Sequence, residues 1–144
     1  MAGIIDTNIV TQIAFVVKDM ETTKQKLADF LGVEPPDHFA TQKSPNNMVK
    51  GESAPDISAL LCFFQVGPNL TIELIEPNGI SSVWQDVLDE QGEGFHHIAF
   101  GIKGMDEKVK ACEDAGMKCL QRGKGYTYLD GRDDLKFIVE LLGE

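Results

Sequence analysis

The sequence is poor in basic side chains, in cysteine and in long apolar runs. Its 144 residues include 13 Lys and Arg against 23 Asp and Glu, which gives a formal net charge of −10. A surface that binds along a nucleic acid needs clustered Lys and Arg to neutralise the phosphates, so this balance excludes an extended nucleic-acid interface. It still permits a local basic spot that binds a small anion.

Cysteine is scarce and irregularly spaced. Cys62, Cys112 and Cys119 are odd in number and form no Cys-x-x-Cys pair, which argues against a disulfide framework and favours buried thiols in a reducing compartment. No apolar run reaches the roughly 20 residues that span a bilayer, and the first residues, MAGIIDTN, contain no basic flank or signal-type apolar stretch. We therefore expect a cytoplasmic protein that does not enter a membrane.

An internal repeat is the main positive feature. The segment QIAFVVKDM, residues 12–20, aligns with HIAFGIKGM, residues 97–105. Each copy reads as an alternating apolar strand followed by a helix, at residues 21–31 and 106–115, that ends at Gly32 or Gly116. A short strand then follows each helix, near 38–42 and 117–121, and a β-hairpin follows each strand, at 60–76 and 126–142.

These elements predict an α+β fold with two tandem βαβββ modules in one curved mixed sheet around a metal-binding cleft. We expect residues 1–144 to form a single domain, with module one at about 8–77, a linking helix at about 80–91 and module two at about 94–144. The polar segment 43–56, with two prolines, is predicted to be irregular and is a candidate lid or substrate loop.

Strand alternation separates the polar residues from the bulky ones. Ile98 shares one face of its strand with Phe100, whereas His97 lies on the opposite face with small residues. The same alternation predicts that His96 shares the face of Ile98 and has a structural role. Mid-strand carboxylates interrupt two other apolar strands, at Glu73 and Glu140, and a buried carboxylate requires a cation or water nearby.

Four polar residues occupy equivalent positions in the two copies. If the modules pack as pseudosymmetric halves, strands one and four of each bring them to a common point. One imidazole, two carboxylates and an amide oxygen suit a divalent metal ion with open coordination positions. The predicted ligands are Gln12, Glu73, His97 and Glu140.

The segments GEGFHHIAF (92–100), QIAFVVKDM (12–20), VGPNLTIELIEP (66–77) and IVELL (138–142) resemble the vicinal oxygen chelate superfamily over nearly the whole chain. That group contains glyoxalase I (lactoylglutathione lyase), methylmalonyl-CoA epimerase, ring-cleaving dioxygenases and resistance proteins. The resemblance implies that the same four residues hold the metal. Epimerases typically have His at the position of Gln12, whereas Gln there is similar to some glyoxalase I enzymes.

The resemblance implies a metal-dependent lyase or isomerase that removes a proton next to a substrate carbonyl through an enolate. Glu140 is the first candidate for the base and Glu73 the second. The implied cofactor is Zn, Ni, Co or Mn, the implied substrates are an acyl-CoA acid or a thiol adduct of a 2-oxoaldehyde, and a homodimer is expected. Asp56 lies near where epimerases place a further carboxylate.

Two other functions stay open. A non-catalytic protein of the resistance type would bind a small molecule in the same cavity, and metal analysis would distinguish it from an enzyme. A dioxygenase is disfavoured, because family dioxygenases typically place two His and one Glu around iron, and at the ligand positions of this chain His97 is the one His. Four basic residues lie near the expected mouth of the cavity and can meet an anion or remain solvated: Lys43, Lys50, Arg122 and Lys124.

Overall fold

The computed structural model describes residues 3–144, in which the chain forms ten strands and three helices. The strands are β1 (Val10–Val16), β2 (His38–Ala40), β3 (Met48–Val49), β4 (Glu52–Ser53), β5 (Ala59–Gln65), β6 (Thr71–Pro77), β7 (Gly94–Gly101), β8 (Cys119–Gly123), β9 (Tyr126–Gly131) and β10 (Phe137–Leu142). The helices are α1 (Met20–Leu31), α2 (Val83–Gln91) and α3 (Met105–Asp114).

The strands form one curved mixed sheet in the order β2-β5-β6-β1-β7-β10-β9-β8-β3-β4. At its centre β1 and β7 pair antiparallel, and each pairs in parallel on its other side with the last strand of its own repeat, β6 or β10. The repeats are thus β1-α1-β2-β5-β6 and β7-α3-β8-β9-β10, joined by α2. The predicted fold is confirmed, whereas the module boundaries and the single-domain assignment stay predictions.

Local signals explain where the first repeat helix begins and ends. The Asp19 side chain caps α1 by accepting a hydrogen bond from the Thr22 backbone N–H at 3.2 Å. The helix ends at Gly32, whose φ of 71° lies in the left-handed region that glycine adopts without strain. Each of the predicted helices is found close to its expected bounds, and the largest difference is the later start of α2.

The bulky faces of the strands pack beneath the repeat helices, as the alternation predicts. Met20 of α1 belongs to a buried cluster with Leu74, and Phe15 packs against it. Val109 of α3 belongs to an equivalent cluster with Leu141 in the second repeat. These two apolar layers hold the halves of the sheet in fixed positions relative to their helices.

The opposite face of the sheet is less open than the sequence predicts. Its small residues do not all face an open cleft, because Ala14 and Val16 are buried in a cluster with Val83, Trp84 and Val87 of α2. The linking helix therefore fills one half of this face, because its apolar side needs a surface to cover. In residues 3–144 the pocket lies over the other half.

The segment 43–56 is a correction to the sequence analysis. It is irregular only in part: within it β3 and β4 form a small hairpin, and β3 pairs with β8 of the second repeat. The Lys50 backbone N–H donates to the Leu120 carbonyl oxygen at 2.8 Å. Strands of two residues are too short to show a period in the sequence. The hairpin therefore extends the sheet beyond β8 at the edge formed by the second repeat.

The sequence predicts buried free thiols and no membrane-spanning segment. Cys62 and Cys112 are buried, Cys119 is half-buried, and all three are free thiols. Within residues 3–144, none of the helices is both long enough and apolar enough to cross a bilayer.

Candidate metal centre

The four predicted ligands meet at one point on the pocket side of the central strands. Nε2 of His97 lies 3.2 Å from Oε1 of Gln12, 3.5 Å from Oε1 of Glu73 and 3.5 Å from Oε2 of Glu140. All four side chains are buried, with exposed fractions of 7% or less. The predicted convergence of the two repeats is therefore present in the geometry.

Strand register explains how the four residues come together. Ala14 is opposite Glu73 on one neighbouring strand and opposite His97 on the other. Ala99 is opposite Gln12 on one side and Glu140 on the other. Cross-strand partners share a face of the sheet, so each alanine separates two functional side chains. Because a methyl group is short, the space above the alanines stays available to the longer side chains.

The electrostatics of this cluster favour a cation. Burial raises the pKa of Glu73 well above its usual range, and the nearby negative charge of Glu140 raises it further. In the part of the chain that the structure describes, the only basic side chain paired with either carboxylate is His97. Two buried carboxylates without a compensating positive charge are costly, and a divalent ion would offset both charges.

Gln12 is the fourth predicted ligand, and its side chain ends in an amide. Its oxygen and nitrogen are nearly indistinguishable in shape, so the hydrogen-bond partners decide its orientation. With the nitrogen turned inward, the amide nitrogen lies 3.1 Å from an oxygen of Glu73 and of Glu140 and 3.2 Å from Nε2 of His97, and its two N–H groups donate to two of these three acceptors at a time. Rotation of the Gln12 amide by 180° about its last side-chain torsion turns the oxygen inward instead. A metal ligand requires that orientation.

The donor chemistry fits a metal ion, although the present contacts are hydrogen bonds. Within residues 3–144 no three His, Cys, Asp or Glu side chains stand in a ready-made metal-binding group. At this point the carboxylate oxygens of Glu73 and Glu140 lie 3.5 Å from Nε2 of His97, and the fourth member of the set, Gln12, is an amide. Gln12, Glu73, His97 and Glu140 as ligands therefore stay a prediction.

His96 does not occupy the face that strict alternation predicts. The pairing of β1 with β7 passes from Ala14 opposite His97 directly to Phe15 opposite Phe95, which makes His96 the extra residue of a β-bulge. Its ring is buried on the same side as that of His97, and its Nδ1 lies 2.8 Å from Nδ1 of His97. Burial, and to a smaller extent His97, lowers the pKa of His96 to about 3. The ring is therefore neutral.

A pocket of about 400 Å³ opens directly above the cluster. Gln12, Glu73 and Glu140 lie on its floor. Aromatic side chains form much of its wall: Phe63, Trp84, Tyr126 and Tyr128. The volume lies within the range of small-molecule sites, and the mixture of apolar walls with a few buried polar groups is typical of them.

The sequence analysis assigned no role in the site to this aromatic wall. Tyr128 lies opposite Glu140 in the second hairpin, and Phe63 lies opposite Glu73 in the first. The hydroxyl of Tyr128 accepts a hydrogen bond from Nε1 of Trp84 at 2.8 Å. Residues opposite each other on paired strands share a face of the sheet. Pairing of the two hairpins in the sequence would therefore have placed Tyr128 beside Glu140 and Phe63 beside Glu73.

The basic residues near the pocket divide into two kinds. Lys43 and Lys124 line the pocket and are exposed, and neither forms an ion pair with any part of the chain described by the structure. Lys50 instead pairs with Asp86 at 2.8 Å, and Arg122 pairs with Asp106. Lys43, with Ser44 and Asn47, is the contribution of segment 43–56 to the pocket.

Asp56 has no part in the pocket. Its side chain is exposed and is not among the lining residues, and its backbone carbonyl accepts a hydrogen bond from Nδ2 of Asn78 at 3.1 Å. The carboxylates available to chemistry in this pocket are Glu73 and Glu140.

Replacing Gln12 by His tests whether this residue is a ligand. We expect Gln12→His to keep the charge of the site and to shift the metal preference toward ions that favour imidazole, such as Zn²⁺ and Ni²⁺ over Mn²⁺. Competitive loading of the wild type and the variant with equal amounts of the three ions measures the shift. An unchanged metal profile would show that Gln12 does not bind the metal.

Comparison with protein families gives one match that spans most of the chain. Residues 11–136 match the model of the Glyoxalase/Bleomycin resistance protein/Dioxygenase superfamily. An uncharacterized protein of Bacillus subtilis (strain 168), YqjC, is 32% identical over 88 residues, which are 56% of this chain and 62% of that protein. The chain thus matches less than two thirds of the length of this relative.

Solved structures share the fold at low sequence identity. The hypothetical protein BH1468 from Bacillus halodurans C-125 has a TM-score of 0.67 at 20% identity, covering 96% of this chain and 95% of that chain. Methylmalonyl-CoA epimerase from Mycobacterium tuberculosis has a TM-score of 0.61 at 20% identity, covering 92% and 85%. A variant of the Streptomyces coelicolor methylmalonyl-CoA epimerase, in complex with 2-nitronate-propionyl-CoA, has a TM-score of 0.62 at 22% identity, covering 92% and 94%.

Proposed function

Because the chain belongs to the Glyoxalase/Bleomycin resistance protein/Dioxygenase superfamily, we propose that it is an enzyme that moves a proton on the carbon next to a substrate carbonyl. The reaction would be that of a glyoxalase I-like lyase or a methylmalonyl-CoA epimerase-like isomerase. The observation that carries this proposal is the pair of buried carboxylates, Glu73 and Glu140, on the floor of a pocket open to small molecules.

We propose that the cluster holds a divalent metal ion, with Zn, Ni, Co and Mn as the candidates. The ligands would be Gln12, Glu73, His97 and Glu140. The assignment is supported by two carboxyl groups buried beside each other, because a divalent ion would compensate the charge of their ionised forms. With the ion bound, the site would supply positive charge to stabilise the negative charge that develops on the substrate oxygens.

Glu140 is the proposed base, and Glu73 is the second candidate. A carboxylate oxygen takes the proton from the carbon next to the carbonyl, the C–H pair of electrons moves into the carbonyl, and an enolate forms. In an isomerase reaction the other carboxyl group, Glu73, would donate a proton to the opposite face of the same carbon, whereas in a lyase reaction of the glyoxalase type Glu140 would donate the abstracted proton to the neighbouring carbon. The position of Glu140 supports this role, because its buried carboxyl group lies on the floor of the pocket, where the reacting carbon of a bound substrate would come within reach.

The walls of the pocket would keep water from the reacting carbon. The ring of Tyr128 lies with its centre 4.9 Å from that of His97, and Trp84 fixes the Tyr128 hydroxyl. Trp84 also stacks on Tyr126 at 6.3 Å between ring centres. These contacts hold the aromatic groups rigid above the carboxylates, which shields an enolate from solvent protons.

We propose that the substrate carries a negative charge that Lys43 and Lys124 meet at the mouth of the pocket. An acyl-CoA acid or a thiol adduct of a 2-oxoaldehyde fits this description. The support is the position of the two lysines, which line the pocket with no carboxylate partner in residues 3–144, in a chain of net charge −10. A cationic rim attracts an anionic substrate that the rest of the surface repels.

Removal of both lysine charges tests the substrate charge. We expect the double variant Lys43→Gln/Lys124→Gln to raise KM about 3- to 10-fold with kcat nearly unchanged, because exposed charges contribute about 1 kcal/mol or less each. The effect should shrink as salt is added. Lys50→Gln is the control, since Lys50 pairs with Asp86. Equal kinetics for the double variant and wild type would show that the substrate end is not anionic.

The experiment that tests the function is hydrogen exchange in D₂O. Metal-loaded protein is incubated with methylmalonyl-CoA and, separately, with hemithioacetals of methylglyoxal and small thiols, and the substrates and products are followed by NMR. We expect one of these classes to exchange or relocate the hydrogen on the carbon next to the carbonyl. If none exchanges while one binds tightly and unchanged, the protein is a binding protein of the resistance type.

A binding protein is the second candidate function, and the aromatic wall favours it. Four aromatic side chains around a pocket of about 400 Å³ can enclose a flat apolar molecule without any chemistry. A metal-free protein that retains its affinity for such a molecule would support this candidate. The homodimer and the cytoplasmic location stay predictions.

A further inference from the structure

His96 is buried beside the cluster, and its partners assign the proton positions on both histidines. Its Nε2 lies 3.3 Å from the Val83 carbonyl oxygen. A carbonyl oxygen only accepts hydrogen bonds, so Nε2 of His96 carries a proton. The ring is 2% exposed and has no carboxylate partner in the described chain, which keeps it neutral. A neutral imidazole has a single N–H group, and Nδ1 of His96 is therefore an acceptor.

The second step assigns His97. Its Nδ1 lies 2.8 Å from Nδ1 of His96, which accepts, so Nδ1 of His97 must donate. In the neutral ring, the other nitrogen of His97, Nε2, then presents its lone pair to Gln12, Glu73 and Glu140. When the amide of Gln12 turns its nitrogen inward, it offers this lone pair a donor at 3.2 Å.

We propose that His96 is a positioning residue, which fixes a proton on Nδ1 of His97 and so directs the Nε2 lone pair into the site. The relay begins at α2: the Val83 carbonyl orients His96, and His96 orients His97. Val83 is itself held in place, because its backbone N–H donates to Oε1 of the buried Gln121 at 2.8 Å. The linking helix thus sets the tautomer of a histidine in the central strand.

The β-bulge makes this relay possible. In a regular strand, His96 would point to the face opposite His97 and the two rings would not meet. The extra residue brings both rings to one side, at 5.0 Å between centres and nearly perpendicular. An orienting hydrogen bond on the second nitrogen of a ligand histidine is a common device in metal sites, where its loss costs about 10- to 100-fold in affinity.

The inference rests on the proposed function only in treating His97 as a metal ligand. Two measurements separate the two ideas. The ¹⁵N NMR spectrum of the metal-free protein, with its three histidines labelled, reports which nitrogen of each ring is protonated. We expect a protonated Nδ1 on His97, and a protonated Nε2 with a bare Nδ1 on His96. A bare Nδ1 on His97 would overturn the proposal without any metal in the experiment.

The second measurement is a Zn²⁺ titration of two variants by calorimetry. His96→Phe removes the acceptor but keeps a ring of similar size, and we expect it to bind Zn²⁺ about 10- to 100-fold more weakly. His96→Asn can offer its amide oxygen to Nδ1 of His97, and we expect it to stay within about threefold of the wild type by the same scale. His38→Phe is the control, because His38 lies on β2 outside the pocket.

If His96 has only a structural role, a different result is expected. Both variants would then lose affinity in step with their loss of thermal stability, and such a result would overturn the proposal. If His96→Phe does not fold, the NMR spectrum of the wild type decides alone. A wild-type protein that binds none of Zn²⁺, Ni²⁺, Co²⁺ or Mn²⁺ contradicts the proposed function, whereas the proton positions in the metal-free protein still test the role of His96.

Discussion

Glu140→Gln is expected to slow hydrogen exchange at the reacting carbon by about 10²- to 10⁴-fold, the range that a positioned base contributes. The amide keeps the size of the side chain and an oxygen that can face a metal ion, but it cannot accept a proton. Substrate affinity should therefore change far less than the rate, so the loss appears in kcat more than in KM. Exchange in D₂O with metal-loaded variant and wild type measures both quantities.

Glu73→Gln should lose rate in the same manner, with a smaller effect if Glu140 is the principal base. Glu90→Gln is the matched control, because Glu90 is exposed on α2 and lies outside the pocket. Metal content must be measured for each variant, since Glu73 and Glu140 are also the proposed ligands. Wild-type rates in both site variants, with metal bound, would show that neither carboxylate moves the proton.

His97→Ala is expected to abolish stoichiometric metal binding in a chain that still folds. The ring nitrogen of His97 is the point at which the contacts of Gln12, Glu73 and Glu140 meet. Loss of an outer partner alone costs about 10- to 100-fold in metal affinity, so loss of the ligand itself should cost more than that. Elemental analysis after loading with excess metal, together with circular dichroism, measures binding and folding.

The comparison of His97→Ala with His96→Ala distinguishes the ligand from its positioning partner. We expect the His96 variant to retain weakened metal binding and the His97 variant to retain none. His38→Ala serves as the control for loss of a histidine elsewhere on the sheet. Should His96→Ala empty the site while His97→Ala remains loaded, the assignment of the two rings is reversed.

The repeat and the four site residues follow from the order of the amino acids alone. Alternation within a strand is a local property, so it placed Glu73, His97 and Glu140 opposite the bulky residues without knowledge of any neighbour. The equivalence of the two copies then brought these residues together with Gln12, because related chain segments fold alike and pack about a common axis. Helix bounds followed for the same reason, since caps such as Asp19 act within a single turn.

Contacts between distant segments decide which parts of the site-bearing face of the sheet are accessible. The position of α2 is set by its apolar packing on the sheet, and Trp84 therefore both covers the sheet and lines the pocket. The hairpin β3–β4 reaches the second repeat through pairing with β8, which brings Lys43 to the pocket while Asp86 pairs with Lys50 outside it. Strands of two residues carry no pattern that predicts such a partner.

The β-bulge at His96 is the clearest case of a feature outside the reach of the sequence. Alternation assumes that every residue of β7 has an opposite on β1, and His96 has none. Whether an extra residue is accommodated depends on the energy of both strands and of the helix above them. Here the buried hydrogen bonds to Val83 and His97 offset the lost pairing. The side of the sheet to which a residue points, when predicted from one strand alone, is therefore wrong at a β-bulge.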